Sequence, residues 1–125
     1  MRKLLLISML VSSMAVSHTH ASETVFFESL YDVPVMAGLS EISELGMTFD
    51  KVEGRLAYAV ADPQNIDKKS IISFYNKALP QMGWKKSSSS IFTREDEKLV
   101  ISFDLPQGSQ GRGTLVKFTL SPIED

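Results

Sequence analysis

The sequence predicts an α+β domain in which one main helix packs on one face of a mainly antiparallel sheet, in the order hairpin, helix, three-strand meander. Three observations carry this expectation. Asp67 to Trp84 is the only stretch with a sustained helical period and signals at both ends. Arg55 to Ala61, Lys98 to Leu105 and Thr114 to Leu120 alternate with period two. Polar, glycine-bearing turns separate these runs.

Residues 1–21 read as a secretory signal peptide. Arg2 and Lys3 give the positive start, Leu4 to Val16 the apolar core, and Thr19-His20-Ala21 offers small residues at the two cleavage-site positions. Cleavage after Ala15 is the alternative, with a shorter leader. The apolar run is short for a permanent membrane anchor. Cleavage at Ala21 removes two of the 13 basic residues and none of the 15 acidic ones, leaving 11 against 15, a net charge of −4. That balance is not the basic footprint of a nucleic-acid binder.

Residues 22–45 form an irregular N-terminal arm. Val25-Phe26-Phe27 suits a short strand or an apolar tether, and Pro34 favours extended backbone. Leu39 to Leu45 has room for one helical turn, ended by Gly46. The 46–125 segment is the single α+β domain. It begins with a hairpin of Met47 to Asp50 and Arg55 to Ala61 around Lys51-Val52-Glu53-Gly54. In the second strand Leu56, Tyr58 and Val60 alternate with alanines. Either the small face admits a close helix or the larger face is the core face.

In the helix, Ile71, Tyr75, Ala78 and Met82 fall on one line, flanked by Phe74 on one side and Ile72 and Leu79 on the other. Asp67 is the expected N-cap, Ile66 and Ile71 have the spacing of a hydrophobic staple, and Gly83 is the left-handed stop. Pro80 predicts a kink or a tightened last turn. Beyond Trp84, the Ser87 to Ser90 run is a bend or a weak edge strand, and Arg94 to Glu97 a charged turn. The next two strands direct Leu99, Ile101, Phe103 and Leu105, then Val116, Phe118 and Leu120, to one face. Gly108 to Gly113 reads as a hairpin loop, since a strand rather than a helix follows it and no phosphate loop is built that way.

His18 and His20 lie in the leader and the chain has no cysteine. The mature domain therefore has neither the usual zinc and copper ligands nor Ser-His-Asp or Cys-His machinery, and the sequence implies no metal and no cofactor. A Val16-Ser17-His18 terminus, after the alternative cleavage, is the one Cu(II) motif. Two constellations remain. Asp50, Glu53 and Arg55 form a possible charged cluster at the hairpin, either a solvated turn or a carboxylate pair for acid–base work. Tyr75, Trp84 and Phe103 are either core anchors or the lining of a ligand slot between helix and sheet.

Val33-Pro34-Val35-Met36, Phe49-Asp50, Gly54-Arg55, Phe74-Tyr75, Leu79-Pro80-Gln81-Met82-Gly83-Trp84 and Arg94 together resemble a family of small secreted or periplasmic proteins of Gram-negative bacteria, chiefly alphaproteobacteria. The resemblance runs from about Tyr31 onward. It implies a periplasmic location and carries over no catalytic residues.

The expectation is a non-catalytic periplasmic module that binds another envelope component, a protein in the first instance, without nucleic acid or a transmembrane anchor. The alternatives are a small apolar-ligand carrier using the Tyr75, Trp84 and Phe103 slot, and a carboxylate-based envelope hydrolase using Asp50 and Glu53.

Overall fold

The computed structural model describes residues 15–18, 23–104 and 114–124. It is an α+β arrangement of one helix and a seven-stranded antiparallel sheet. In chain order the elements are β1 (Ser40–Glu41), a 3-10 turn (Ser43–Leu45), β2 (Met47–Lys51), β3 (Gly54–Asp62), α1 (Lys68–Gln81), β4 (Lys85–Ser88), β5 (Ile91–Arg94), β6 (Glu97–Asp104) and β7 (Leu115–Pro122). The spatial order is β1-β3-β7-β6-β5-β4, and β2 lies on the same side of β3 as β1. One edge is thus built from two short strands end to end. The 3-10 turn interrupts them, and Ile42 donates its amide to the Val60 carbonyl at 2.8 Å across the gap.

Helix α1 starts on a side-chain cap and stops on a backbone closure, both matching its sequence signals. Asp67 Oδ1 accepts from the Ser70 amide at 2.9 Å, satisfying one free donor of the first turn. At the other end, Gly83 (φ 89°) donates to Pro80 O and Trp84 donates back to Leu79 O. This pair of bonds is a Schellman closure, in which a left-handed residue lets the chain turn back under the helix. It seats Trp84 in the core beside Leu79 and launches β4. The Ser87 to Ser90 run divides into the end of edge strand β4 and a two-residue turn. The meander after the helix therefore has four strands rather than three.

The helix covers the sheet face that carries Phe92, Leu99, Ile101, Val116, Phe118 and Leu120. On β3 the residues on this inner face are Ala57, Ala59 and Ala61, all fully buried, which resolves the open alternative in favour of the small face. The alanines leave room for the arm as well as the helix. Phe27, Leu30, Val33 and Leu39 from the arm belong to the same core cluster, and Phe27 packs on Phe118 with ring centroids 4.7 Å apart. Tyr75 meets Phe118 from the helix side at 4.9 Å, so Phe118 lies where arm, helix and sheet converge. Leu39 to Leu45, expected as one helical turn ended by Gly46, forms that turn as 3-10 over Ser43–Leu45 with Gly46 as its cap, while Ser40 and Glu41 before it pair with Asp62 and Ala61 as β1. The expected Gly108 to Gly113 loop, Leu105, and most of the leader lie outside the described residues. Among the described residues no helix is long and apolar enough to cross a membrane.

Candidate functional site: one ionic clamp and one bare sheet face

The arm has little regular structure, so side chains fasten it. Tyr75 Oη donates to the Pro34 carbonyl at 2.7 Å and accepts from the Met36 amide at 3.2 Å. Burial pushes this phenol well above its ordinary pKa, and it stays protonated as the clamp requires. At the hairpin side, Glu41 accepts from the Glu28 amide at 3.0 Å and Thr48 donates to Ser29 O at 3.2 Å.

Asp32 anchors the turn of the arm. Period-two alternation places Arg55, Glu97 and Arg94 on the inner face at one end of β3, β6 and β5, just past the last buried residues. Arg55 forks onto Glu97 through Nε (3.1 Å) and Nη2 (3.2 Å), and its Nη2 also reaches Asp32 at 2.7 Å. Arg94 binds the same Asp32 oxygen and donates to the Met82 carbonyl at 3.4 Å. Each guanidinium lies against a ring: Arg94 over Trp84 at 4.2 Å and Arg55 over Tyr31 at 4.9 Å. Burial alone would push the Asp32 carboxyl up. Hydrogen bonds from Arg94 and Arg55, with their charges, outweigh it and hold the group below the usual carboxylate value. Arg55 is shifted upward, first by its hydrogen bond to Glu97, against burial, and with help from Asp32. Two cations and two carboxylates compensate one another, so the cluster clamps the arm, with Asp32 Oδ1 and Arg55 Nη1 buried in it without a hydrogen-bond partner.

The predicted site residues separate accordingly. Tyr75 and Trp84 are 0% and 2% exposed and act as core anchors; neither lines an open slot. Phe103 is half-buried under the Lys68 ammonium and borders a small cleft of ≈ 270 Å³ with Ile66 and Ile71, away from Trp84. Arg55 turns to Asp32 and Glu97, although its register partner is Asp50. Asp50 and Glu53 are both exposed. Asp50 stands on the inner-face side of β2, while Glu53 borders a cleft on the other side, so the hairpin does not pair them. The sequence reading missed Asp32 and Glu97 as partners of Arg55. They lie 23 and 42 positions away, and only the fold brings them in. Among the described residues no group of three or more His, Asp or Glu side chains is arranged to hold a metal ion.

The second feature is the outer face, where Met47 and Phe49 are exposed and Leu56 and Tyr58 half-buried. On β3 it carries Leu56, Tyr58 and Val60, the bulky half of the alternation, of which Val60 is buried and Leu56 and Tyr58 are partly open. Cross-strand pairing sets Phe49 beside Leu56 and Met47 beside Tyr58, then continues the latter row through Thr119, Val100 and Ile91. Phe49 is 52% exposed and Met47 41%. The Lys117 ammonium lies 4.6 Å over the Tyr58 ring. Below this row is a cleft of ≈ 560 Å³ bordered by Lys51, Leu56, Lys98 and Pro122. Compared with known proteins, the chain matches no family model, no curated protein and no solved structure.

Proposed function

We propose that this protein is a non-catalytic periplasmic interaction module that docks another envelope protein on the outer face of its sheet. The observation that carries the reading is the apolar corner at the β2 edge, where Met47 and Phe49 stand exposed beside Leu56 and Tyr58 while the smaller alanines occupy the inner face. A sheet with one solvated face ordinarily alternates apolar-in and polar-out. Here β3 presents its large side chains outward, and a contiguous apolar patch on a monomer is a common mark of a partner site. The periplasmic location rests on the leader-like residues 1–21 and on the family resemblance.

A photo-crosslinking residue placed at position 49 in the full chain, expressed in a Gram-negative host, tests the docking face. The same residue at Ser73, on the exposed side of α1, is the control. The expected result is a discrete protein adduct from position 49 and none from position 73. Absence of any adduct at 49, or equal yields from both positions, overturns the reading.

A further inference from the structure

The outer face is not uniformly apolar, and the placement of its charges selects among partners. Pairing aligns Lys98 on β6 with Thr93 on β5, and Thr93 with Lys85 on β4. Lys98 and Lys85 are therefore two strand spacings apart, about 10 Å. Lys51 joins Lys98 across the ≈ 560 Å³ cleft on the β2 side. All three are exposed. Together they form a basic row that crosses the sheet at the end near the β2–β3 and β5–β6 turns, beside the apolar row of Met47 and Tyr58. The strand-borne carboxylates of this face, Asp62 and Asp104, lie at the opposite end. Within the basic half, no strand position on this face is acidic.

We infer that the outer face takes an extended, acidic segment of a partner protein, its carboxylates set against Lys51, Lys98 and Lys85 and an apolar side chain laid on Phe49 and Tyr58. The inference rests on the docking reading above and adds the chemistry of the occupant. Same-side side chains of an extended peptide recur at about 7 Å, and the flexible lysine stems absorb the difference from the spacing of the row. The rim argues for a peptide over a membrane. Glu53 and Glu124 border the cleft that holds Lys51 and Lys98. A continuous anionic surface would press against those carboxylates, whereas a peptide can place isolated acidic residues between them. The mixed row of aromatic and aliphatic side chains adds a place for one apolar anchor, of the kind that dominates peptide docking energetics.

The test uses the full chain with the crosslinker at position 49. Reversing two charges, Lys85→Glu with Lys98→Glu, is expected to lower the adduct yield about tenfold, while Lys85→Arg with Lys98→Arg retains it. Mass-spectrometric mapping of the adduct is expected to find a segment containing Asp or Glu within a few residues of the crosslink. Urea unfolding of each variant verifies that the sheet is intact. An unchanged yield on charge reversal, an adduct on a segment without carboxylates, or an adduct on lipid overturns the acidic-peptide inference and leaves position 49 as a contact point. Loss of the adduct in the arginine pair also overturns it, since charge is then not what the row supplies. No adduct in the unaltered background removes the docking reading itself, a distinct outcome.

Discussion

The two faces of β3 differ in a way that inverts the usual expectation. Ala57, Ala59 and Ala61 face the helix and arm, while Leu56, Tyr58 and Val60 lie on the outer side, where Val60 is buried and Leu56 and Tyr58 are partly open. On β6 and β7 the ordinary rule returns, with Leu99, Ile101, Val116, Phe118 and Leu120 inside and lysine, serine and threonine mostly outside. The difference follows from what each strand must fit beneath. β3 underlies the arm, whose Phe27, Leu30 and Val33 supply the bulk that the alanines lack. With the inner face filled from the arm, the core cluster does not draw on Leu56 and Tyr58, which the docking proposal assigns to contact with another molecule. Large apolar side chains thus point inward on β6 and β7 but outward on β3, a difference that mutation can separate.

The largest expected contrast is between Phe118 and Tyr58. Phe118 is fully buried and meets both Phe27 and Tyr75, so Phe118→Ala should lower the unfolding free energy by about 4 kcal/mol through lost transfer energy and an unfilled cavity. Tyr58→Ala removes a ring of similar size from the outer face and should cost about 1 kcal/mol or less, chiefly its contact with Lys117. Urea denaturation of both variants measures this directly. Equal costs would show that the outer face is also a structural core.

Next comes the ionic clamp, which ties the inner face to the arm. Asp32→Ala leaves Arg55 and Arg94 without their shared partner and should cost about 3 kcal/mol. The pH dependence has a fixed sign. Asp32 has a folded pKa below its unfolded value, so its contribution is fully present above the unfolded pKa, about 3.9, and is lost as the pH falls through the folded value. Asp67, lowered by its hydrogen bonds to Ser70, acts in the same direction. The urea midpoint of the wild type should therefore fall steeply below about pH 4. Asp32→Asn should start lower and decline less over the same interval. Parallel pH profiles for the two proteins would remove Asp32 from the acid response.

A smaller effect is expected at Tyr75. Tyr75→Phe keeps the ring against Phe118 but leaves the Pro34 carbonyl and Met36 amide without their hydroxyl partner, a loss of about 2 kcal/mol. Hydrogen exchange should show the Met36 amide opening well before amides of β6 and β7. Exchange that stays uniform would mean the arm and sheet unfold only together.

These clamps also mark where sequence reasoning succeeds and where it stops. Asp67 and Gly83 fix the ends of α1 by contacts within a few positions, and both are legible from spacing; the apolar stripe is legible from its period, with Leu79 rather than Ala78 buried beside Ile71 and Tyr75. Strands β3, β6 and β7 are legible from alternation, including the inward set Val116, Phe118 and Leu120, whereas the short β1, β4 and β5 have too few residues to show it. Period two cannot say which face of β3 is inner, because that depends on how much bulk the arm brings. The arm itself has no period to read; Phe27, Leu30 and Val33 are buried by long-range packing. Arg55 was visible as a candidate charged residue, but its register partner Asp50 is not its ionic partner. The fold, rather than the hairpin, supplies Asp32 and Glu97. The outer-face row from Met47 to Ile91 draws one residue from each of five strands, so no local pattern announces it.

The smallest stability effect belongs to the residue with the largest expected functional one. Phe49 is half-exposed on an edge strand and contributes no side chain to the core cluster, so Phe49→Ser should change the unfolding free energy by less than about 0.5 kcal/mol. If the outer face is the docking surface, the same substitution should abolish capture by a crosslinker moved to the neighbouring outer position, Met47. The pairing of the two measurements decides the matter. Lost capture with an unchanged urea midpoint assigns Phe49 to binding, since the sheet that presents it is intact. Retained capture with an unchanged midpoint makes Phe49 an incidental exposed ring and moves the docking surface away from the β2 edge. A midpoint lowered by as much as Phe118→Ala would overturn the division of labour between the two faces, because an outer-face side chain would then be carrying the core.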